Sequence, residues 1–91
     1  MDLSKKSLLI TGGTGSLGKA LTEHILRTSP NVKRLVIFSR DEQKHFQMEQ
    51  LYPSNEYPQI RFFVGDIRDK HRIKRALKGI DYVIHAAAMK H

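Results

Sequence analysis

Ninety-one residues suffice for one small domain with a modest core, and are short for a doubly wound sheet, which is commonly built from two βαβαβ halves. The chain has no cysteine, which excludes a disulfide framework, a cysteine-rich metal site and a thiol nucleophile. Its formal net charge is +7, but the cations are scattered and no aromatic residues interleave with them, so a nucleic-acid platform is not expected; a solvated helix face or an acidic remainder of chain accounts for the surplus.

Met1 to Ser7 is charged and polar, and the apolar run behind it is too short to span a bilayer, so neither a leader nor a membrane span is expected and a cytoplasmic location is the default. Leu8-Leu9-Ile10 reads as a buried strand that stops at Thr11-Gly12-Gly13-Thr14-Gly15-Ser16-Leu17-Gly18. After such a strand the chain must turn sharply, bring bare backbone N–H groups to an anion and open a helix whose N-terminus points at it. Gly12 can take dihedrals closed to other residues, Gly15 admits a pyrophosphate without a Cβ in the way, and Gly18 lets the helix lie close to the sheet. Thr14 and Ser16 add hydroxyl donors. A plain strand-to-helix turn would also contain glycine, but here a strand precedes the motif and a helical pattern follows it. The spacing differs from Gly-x-x-x-x-Gly-Lys-Ser/Thr, so a nucleoside triphosphatase loop is not expected.

From Ser16 the apolar residues Leu17, Leu21 and Ile25 recur every four positions, with Ala20 and His24 alongside, which predicts a helix with one buried stripe. Thr28-Ser29-Pro30-Asn31 ends it. Leu35 to Phe38 is a continuous apolar run of strand length, as expected where both sheet faces are covered. Asp41 is placed to cap a helix over Glu42 to Leu51, whose apolar content is Phe46, Met48 and Leu51. Tyr52 to Pro58 carries turn chemistry, Ile60 to Val64 reads as a strand closed by Gly65-Asp66, and Asp69 is placed to cap a helix reaching Lys78 with Ile73, Ala76 and Leu77 buried and Gly79 as its stop. Tyr82 to Ala86 is the last strand. The order β-α-β-α-β-α-β predicts a partial Rossmann-type α/β fold with a parallel sheet in spatial order 3-2-1-4.

The end of the second strand chooses the ligand. A dinucleotide fold that selects NAD carries an acid there, whereas this chain has Ser39-Arg40, a hydroxyl and a guanidinium suited to a 2′-phosphate. Lys44, one helical turn beyond Arg40, can close on the same anion, so NADP is preferred over NAD. The plainer alternative is that Arg40 and Lys44 are two surface cations. Asp41 fits a helix cap, and were it to face the ribose the preference would weaken. Asp66 and Ile67 stand where an adenine ring would lie, although a turn-capping aspartate explains Asp66 equally well. Ala86-Ala87-Ala88 leaves room for cofactor to pass over the backbone, or serves packing. His24, His45, His71, His85 and His91 are dispersed with no paired spacing, so no metal site is expected.

Thr-Gly-Gly-Thr-Gly-Ser-Leu-Gly at 11–18, Phe-Ser-Arg-Asp-Glu-Gln-Lys at 38–44, Arg-Phe-Phe-Val-Gly-Asp-Ile-Arg-Asp at 61–69 and His-Ala-Ala-Ala-Met-Lys-His at 85–91 together resemble the extended short-chain dehydrogenase/reductase superfamily. More closely, the chain resembles the amino-terminal part of bacterial UDP-N-acetylglucosamine 4,6-dehydratases of the polysaccharide-biosynthesis and flagellin-glycan group. The resemblance implies that Thr14, Gly15, Ser16 and Leu17 bind the pyrophosphate. It assigns Ser39, Arg40, Asp41, Glu42, Gln43 and Lys44 to the adenosine ribose and its phosphate, Asp66 and Ile67 to the adenine, and Ala86 to the middle of the cofactor. Lys90 would stand near the active site, against cofactor or sugar nucleotide. It further implies a lyase that oxidises the sugar at C4 with NADP, eliminates water and returns the hydride, acting on a UDP-N-acetylglucosamine-type substrate, with homo-oligomers possible. That chemistry calls for a Tyr-x-x-x-Lys pair and a Thr/Ser-Asp-Lys segment. Tyr52, Tyr57 and Tyr82 have no lysine four residues on, so residues 1–91 are expected to be a cofactor-binding domain not catalytic by itself. The alternative is a non-catalytic nucleotide-sensing or interaction module.

Overall fold

The computed structural model describes residues 3–12 and 14–86. The chain runs β1 (Ser7–Thr11), α1 (Ser16–Thr28), β2 (Arg34–Ser39), α2 (Glu42–Leu51), β3 (Ile60–Val64), α3 (Lys70–Ala76) and β4 (Tyr82–His85). The four strands are parallel in the order β3-β2-β1-β4, as the alternation of elements predicts.

Residues of β1 and β2 alternate between two cores, as the two-residue period of a strand demands. Leu8, Ile10, Leu35 and Ile37 pack with Ile25 and Met48 on the side of α1 and α2. Leu9, Val36 and Phe38 pack with Ala76, Ile73 and Phe63 on the side of α3. All five residues of β1 are buried, which is why its sequence lacks the polar alternation of a half-exposed strand. Across the sheet, Leu9 pairs with Val36 on one side and Val83 on the other. Ser7 and Asp81 bind the start of β4 to β1 through Ser7 N–H to Asp81 Oδ2 and Asp81 N–H to the Ser7 carbonyl, both at 2.8 Å. Tyr82 and Val83 on the sheet edge remain 42 % exposed.

The helices differ from expectation in which faces they bury. In α1 the sheet-facing positions are Gly18, Thr22 and Ile25, with Leu21 and Leu26 half-buried, while Leu17, Ala20 and His24 are exposed. Gly18 and Thr22 are buried on that face, and the Thr22 hydroxyl donates to the Gly18 carbonyl at 2.8 Å instead of facing apolar neighbours unpaired. In α2 the buried residues are His45 and Met48, while Phe46 and Leu51 are each 63 % exposed. Asp41 and Asp69 cap α2 and α3 as expected, accepting from Lys44 N–H at 3.0 Å and Arg72 N–H at 3.1 Å. The third helix ends at Ala76, with Leu77 as its cap and Gly79 beyond it at φ 77°.

Candidate functional site

The carboxyl ends of all four strands open on one cleft of about 780 Å³. The chain leaves β1 towards β2 on one side, while the connection from β3 crosses to β4 on the other side of β1, so the connections diverge at the end of β1 and leave a crevice there. Its walls come from four turns: Gly12, Thr14, Gly15, Ser16 and Leu17 after β1; Ser39, Arg40, Asp41 and Lys44 after β2; Gly65 to Arg68 after β3; and Ala86 after β4.

The first turn is built to present backbone. Gly12 sits at φ 66°, in the left-handed region, and its N–H donates to the Phe38 carbonyl at 2.8 Å. Gly15 is the N-cap of α1, so this helix, unlike α2 and α3, has no side-chain cap, and no acid stands in its first turn. An uncapped helix N-terminus facing a cleft is a site for an anion. Among the described residues a Cβ on Gly15 would touch only the Gly12 carbonyl, at 3.5 Å, on the side of the cleft where a ligand would lie. Leu17 offers an apolar edge beside the glycines at 49 % exposure, which is why it does not join the core.

Cations gather on the opposite rim. Arg40 and Lys44 both line the cleft, and Lys44 makes no ion pair among the described residues. Asp41 lines it too, with Oδ1 turned onto the first turn of α2, while its N–H donates to Ser39 Oγ at 3.2 Å. Ser39 Oγ also bonds Thr14 Oγ1. Beneath this rim the buried His45 ring approaches the Ser39 carbonyl with Nε2 at 3.1 Å; a carbonyl oxygen only accepts, so Nε2 carries the proton.

Asp66 is the charge centre of the third turn. Arg68 holds it through Nη2 to Oδ2 at 2.8 Å, and Arg40 Nη1 lies 3.7 Å from the same oxygen. The Arg68 side chain, then its backbone N–H, hold the Asp66 carboxyl down at about 2. Ile67 beside it is 53 % exposed and forms an apolar shelf.

Of the residues singled out in the sequence, the cleft brings together Gly12, Thr14, Gly15, Ser16, Leu17, Ser39, Arg40, Asp41, Lys44, Asp66, Ile67 and Ala86. Gly18 is buried in α1 outside the cleft lining, and Glu42 and Gln43 are exposed on α2, also outside it. Lys90, with Ala87 and Ala88, lies outside the described residues. Sequence reasoning missed Thr11, Phe38, Gly65 and Arg68. Arg68 had a signal: it follows Asp66 by two positions, the spacing at which an aspartate turn lets a guanidinium fold back onto the carboxylate. No group of three or more potential metal ligands occurs among the described residues.

Comparison with known proteins agrees with this geometry. The pattern of a family described as "Polysaccharide biosynthesis protein" matches residues 8–91. The chain is 49 % identical over 89 residues to the inverting UDP-N-acetylglucosamine 4,6-dehydratase of Campylobacter jejuni subsp. jejuni serotype O:2, covering 97 % of this chain and 25 % of that protein. It is 46 % identical over 87 residues to the UDP-glucose 4-epimerase of Rickettsia bellii, covering 93 % and 25 %. The X-ray structure of Pen from Bacillus thuringiensis superposes with a TM-score of 0.88 at 38 % identity, covering all of this chain and 28 % of the other. The chain thus spans about a quarter of the length of the curated relatives it matches.

Proposed function

The chain belongs to the polysaccharide biosynthesis protein family, and from that premise we propose that it is the NADP-binding part of a UDP-sugar 4,6-dehydratase. The observation that carries this reading is the cleft, with an uncapped glycine-bounded helix N-terminus on one side and Ser39, Arg40 and Lys44 on the other. The two ends suit the two anions of one ligand. The first turn of α1 would hold the pyrophosphate with backbone N–H groups, and Arg40 with Lys44 would hold the 2′-phosphate with charge-assisted bonds. Asp66 and Ile67 would border the adenine, one accepting from its amine and the other packing on its face.

Bound there, the nicotinamide would supply a hydride acceptor for the sugar. The part played by the described residues is to bind and orient: none of the three tyrosines has the lysine partner that would make it an acid–base group. Both named relatives act on UDP-linked sugars, and the higher identity to the dehydratase favours UDP-N-acetylglucosamine over UDP-glucose as the substrate class.

The test is a fluorescence titration of the folded chain with NADPH and, in parallel, NADH, repeated on Arg40→Ala. The reading expects saturable binding that favours NADPH, and an Arg40→Ala variant that loses affinity for NADPH by about tenfold, the worth of one charge-assisted contact, while NADH binding is nearly unaltered. Equal losses for both cofactors would defeat the 2′-phosphate assignment. A folded chain that binds neither would favour a non-catalytic interaction module.

A further inference from the structure

A carboxylate on the rim of a cleft repels a phosphate dianion, and Asp66 stands beside the very group assigned to that phosphate, with Oδ2 3.7 Å from Arg40 Nη1. Protonation does not relieve the repulsion, since the Asp66 carboxyl is held at about 2 and stays ionised at neutral pH. What stands against it is Arg68. Its Nη2 donates to Oδ2 at 2.8 Å, its Nε lies 3.2 Å from both carboxylate oxygens, and its backbone N–H donates to Oδ1 at 2.9 Å. Among the described residues every hydrogen bond to this carboxylate comes from Arg68, while Arg40 touches it only at ion-pair distance. The other carboxylate in the wall, Asp41, has one oxygen turned onto its own helix.

We propose that Arg68 is a specificity-determining residue for the 2′-phosphorylated cofactor: by occupying Asp66 it cancels a charge that would repel the phosphate, and it holds Arg40 to a loose 3.7 Å ion pair that the exposed guanidinium can leave to meet that phosphate. This rests on the reading of the cleft as an NADP site, and it names a residue that makes the preference possible without touching the phosphate. Remove Arg68, and the nearest cation to Asp66 is Arg40. The carboxylate then competes with the cofactor for the guanidinium and adds repulsion of its own.

The experiment compares the ratio of NADPH to NADH affinity at one fixed salt concentration in the parent chain, Arg68→Ala, Arg68→Gln and the double variant Asp66→Asn/Arg68→Ala, with circular dichroism on each. Both cofactors carry the same adenine, so a loss at the adenine cancels in the ratio. The expected result is a drop in the ratio of about tenfold in Arg68→Ala, equivalent to losing one charge-assisted contact. Arg68→Gln, which keeps bulk and donors but no charge, should fall with it. The double variant should recover the ratio, because an asparagine cannot repel the phosphate yet still accepts from adenine. A merely structural Arg68 would lower both affinities together and gain nothing from Asp66→Asn. An unchanged ratio in both Arg68 variants, or no recovery in the double variant, overturns the proposal. A parent chain that binds both cofactors equally overturns instead the reading on which it rests.

Discussion

Thr14 Oγ1 and Ser39 Oγ lie 2.9 Å apart, so the loop after β1 and the end of β2 are bonded side chain to side chain within the cleft wall. Thr14 is almost fully buried, and Ser39 Oγ also accepts the Asp41 N–H at the start of α2. Removing one hydroxyl therefore strips a buried partner and a helix-entry contact together. Ser39→Ala is expected to lower stability by about 1–2 kcal/mol, the cost of leaving a buried polar group unpaired. Urea denaturation followed by circular dichroism measures it, and an unchanged midpoint would show that the pair contributes nothing to the fold.

Two glycines in the cleft wall should respond to alanine in opposite ways. At Gly15 the new Cβ meets, among the described residues, only an ordinary contact at 3.5 Å and φ is −77°, so Gly15→Ala should lose no more than about 1 kcal/mol, from the poorer N-cap. Its methyl would nevertheless stand in the approach to α1, and NADPH and NADH should weaken alike. At Gly65 the Cβ would meet Arg72 Cγ at 2.7 Å and the Phe38 ring at 3.0 Å. Neither neighbour is free to give way: Phe38 is buried and stacked on Phe63, and Arg72 donates from Nε to the Val64 carbonyl at 2.9 Å while lying over the Phe63 ring. Gly65→Ala should cost about 1–3 kcal/mol by overpacking. A thermal melt beside a cofactor titration separates the two, and a Gly65→Ala chain as stable as the parent would contradict the contact.

The Asp66 carboxyl gives a pH signature whose sign is fixed. Its folded value of about 2 lies below the ordinary 3.8, chiefly through the Arg68 side chain, so the ion pair's contribution to stability is complete above the ordinary carboxylate range. It is lost as pH falls from about 4 towards 2. Carbon-13 NMR of the labelled carboxyl should show a midpoint near 2 in the parent and a rise towards the ordinary value in Arg68→Ala. A midpoint that stays low in the variant would remove Arg68 as the cause.

The strands, their order and the glycine turn were legible because each rests on a local rule: apolar runs of strand length, capping aspartates, and glycine where backbone must turn or approach. The buried faces of the helices were not. Counting apolar residues put Leu17, Ala20 and His24 on or near the stripe of α1; Gly18 and Ile25 are buried as expected, but Thr22 shares their face and Leu17 is drawn off to the cleft. The same counting missed His45 in α2 and left Phe46 and Leu51 to be found in solvent. Arg68 escaped notice among many cations, because its role depends on where the guanidinium folds and not on its residue type.

His45 tests how far such a hidden residue supports the site. α2 buries only His45 and Met48, so few contacts hold it against the sheet. The His45 ring meets Phe62 edge to face at 5.7 Å and bonds the Ser39 carbonyl through Nε2, while Nδ1 has no partner among the described residues. His45→Ala removes the donor and leaves a cavity, and should cost about 2–3 kcal/mol. His45→Gln keeps an N–H at nearly the same reach and should recover at least half of that loss. Since the Ser39 carbonyl precedes Arg40 directly, the cofactor affinity of the alanine variant should fall further than that of the glutamine variant. Equal destabilisation by both substitutions would assign the effect to ring packing on Phe62, and the hydrogen bond to Ser39 would then have no part in holding the rim.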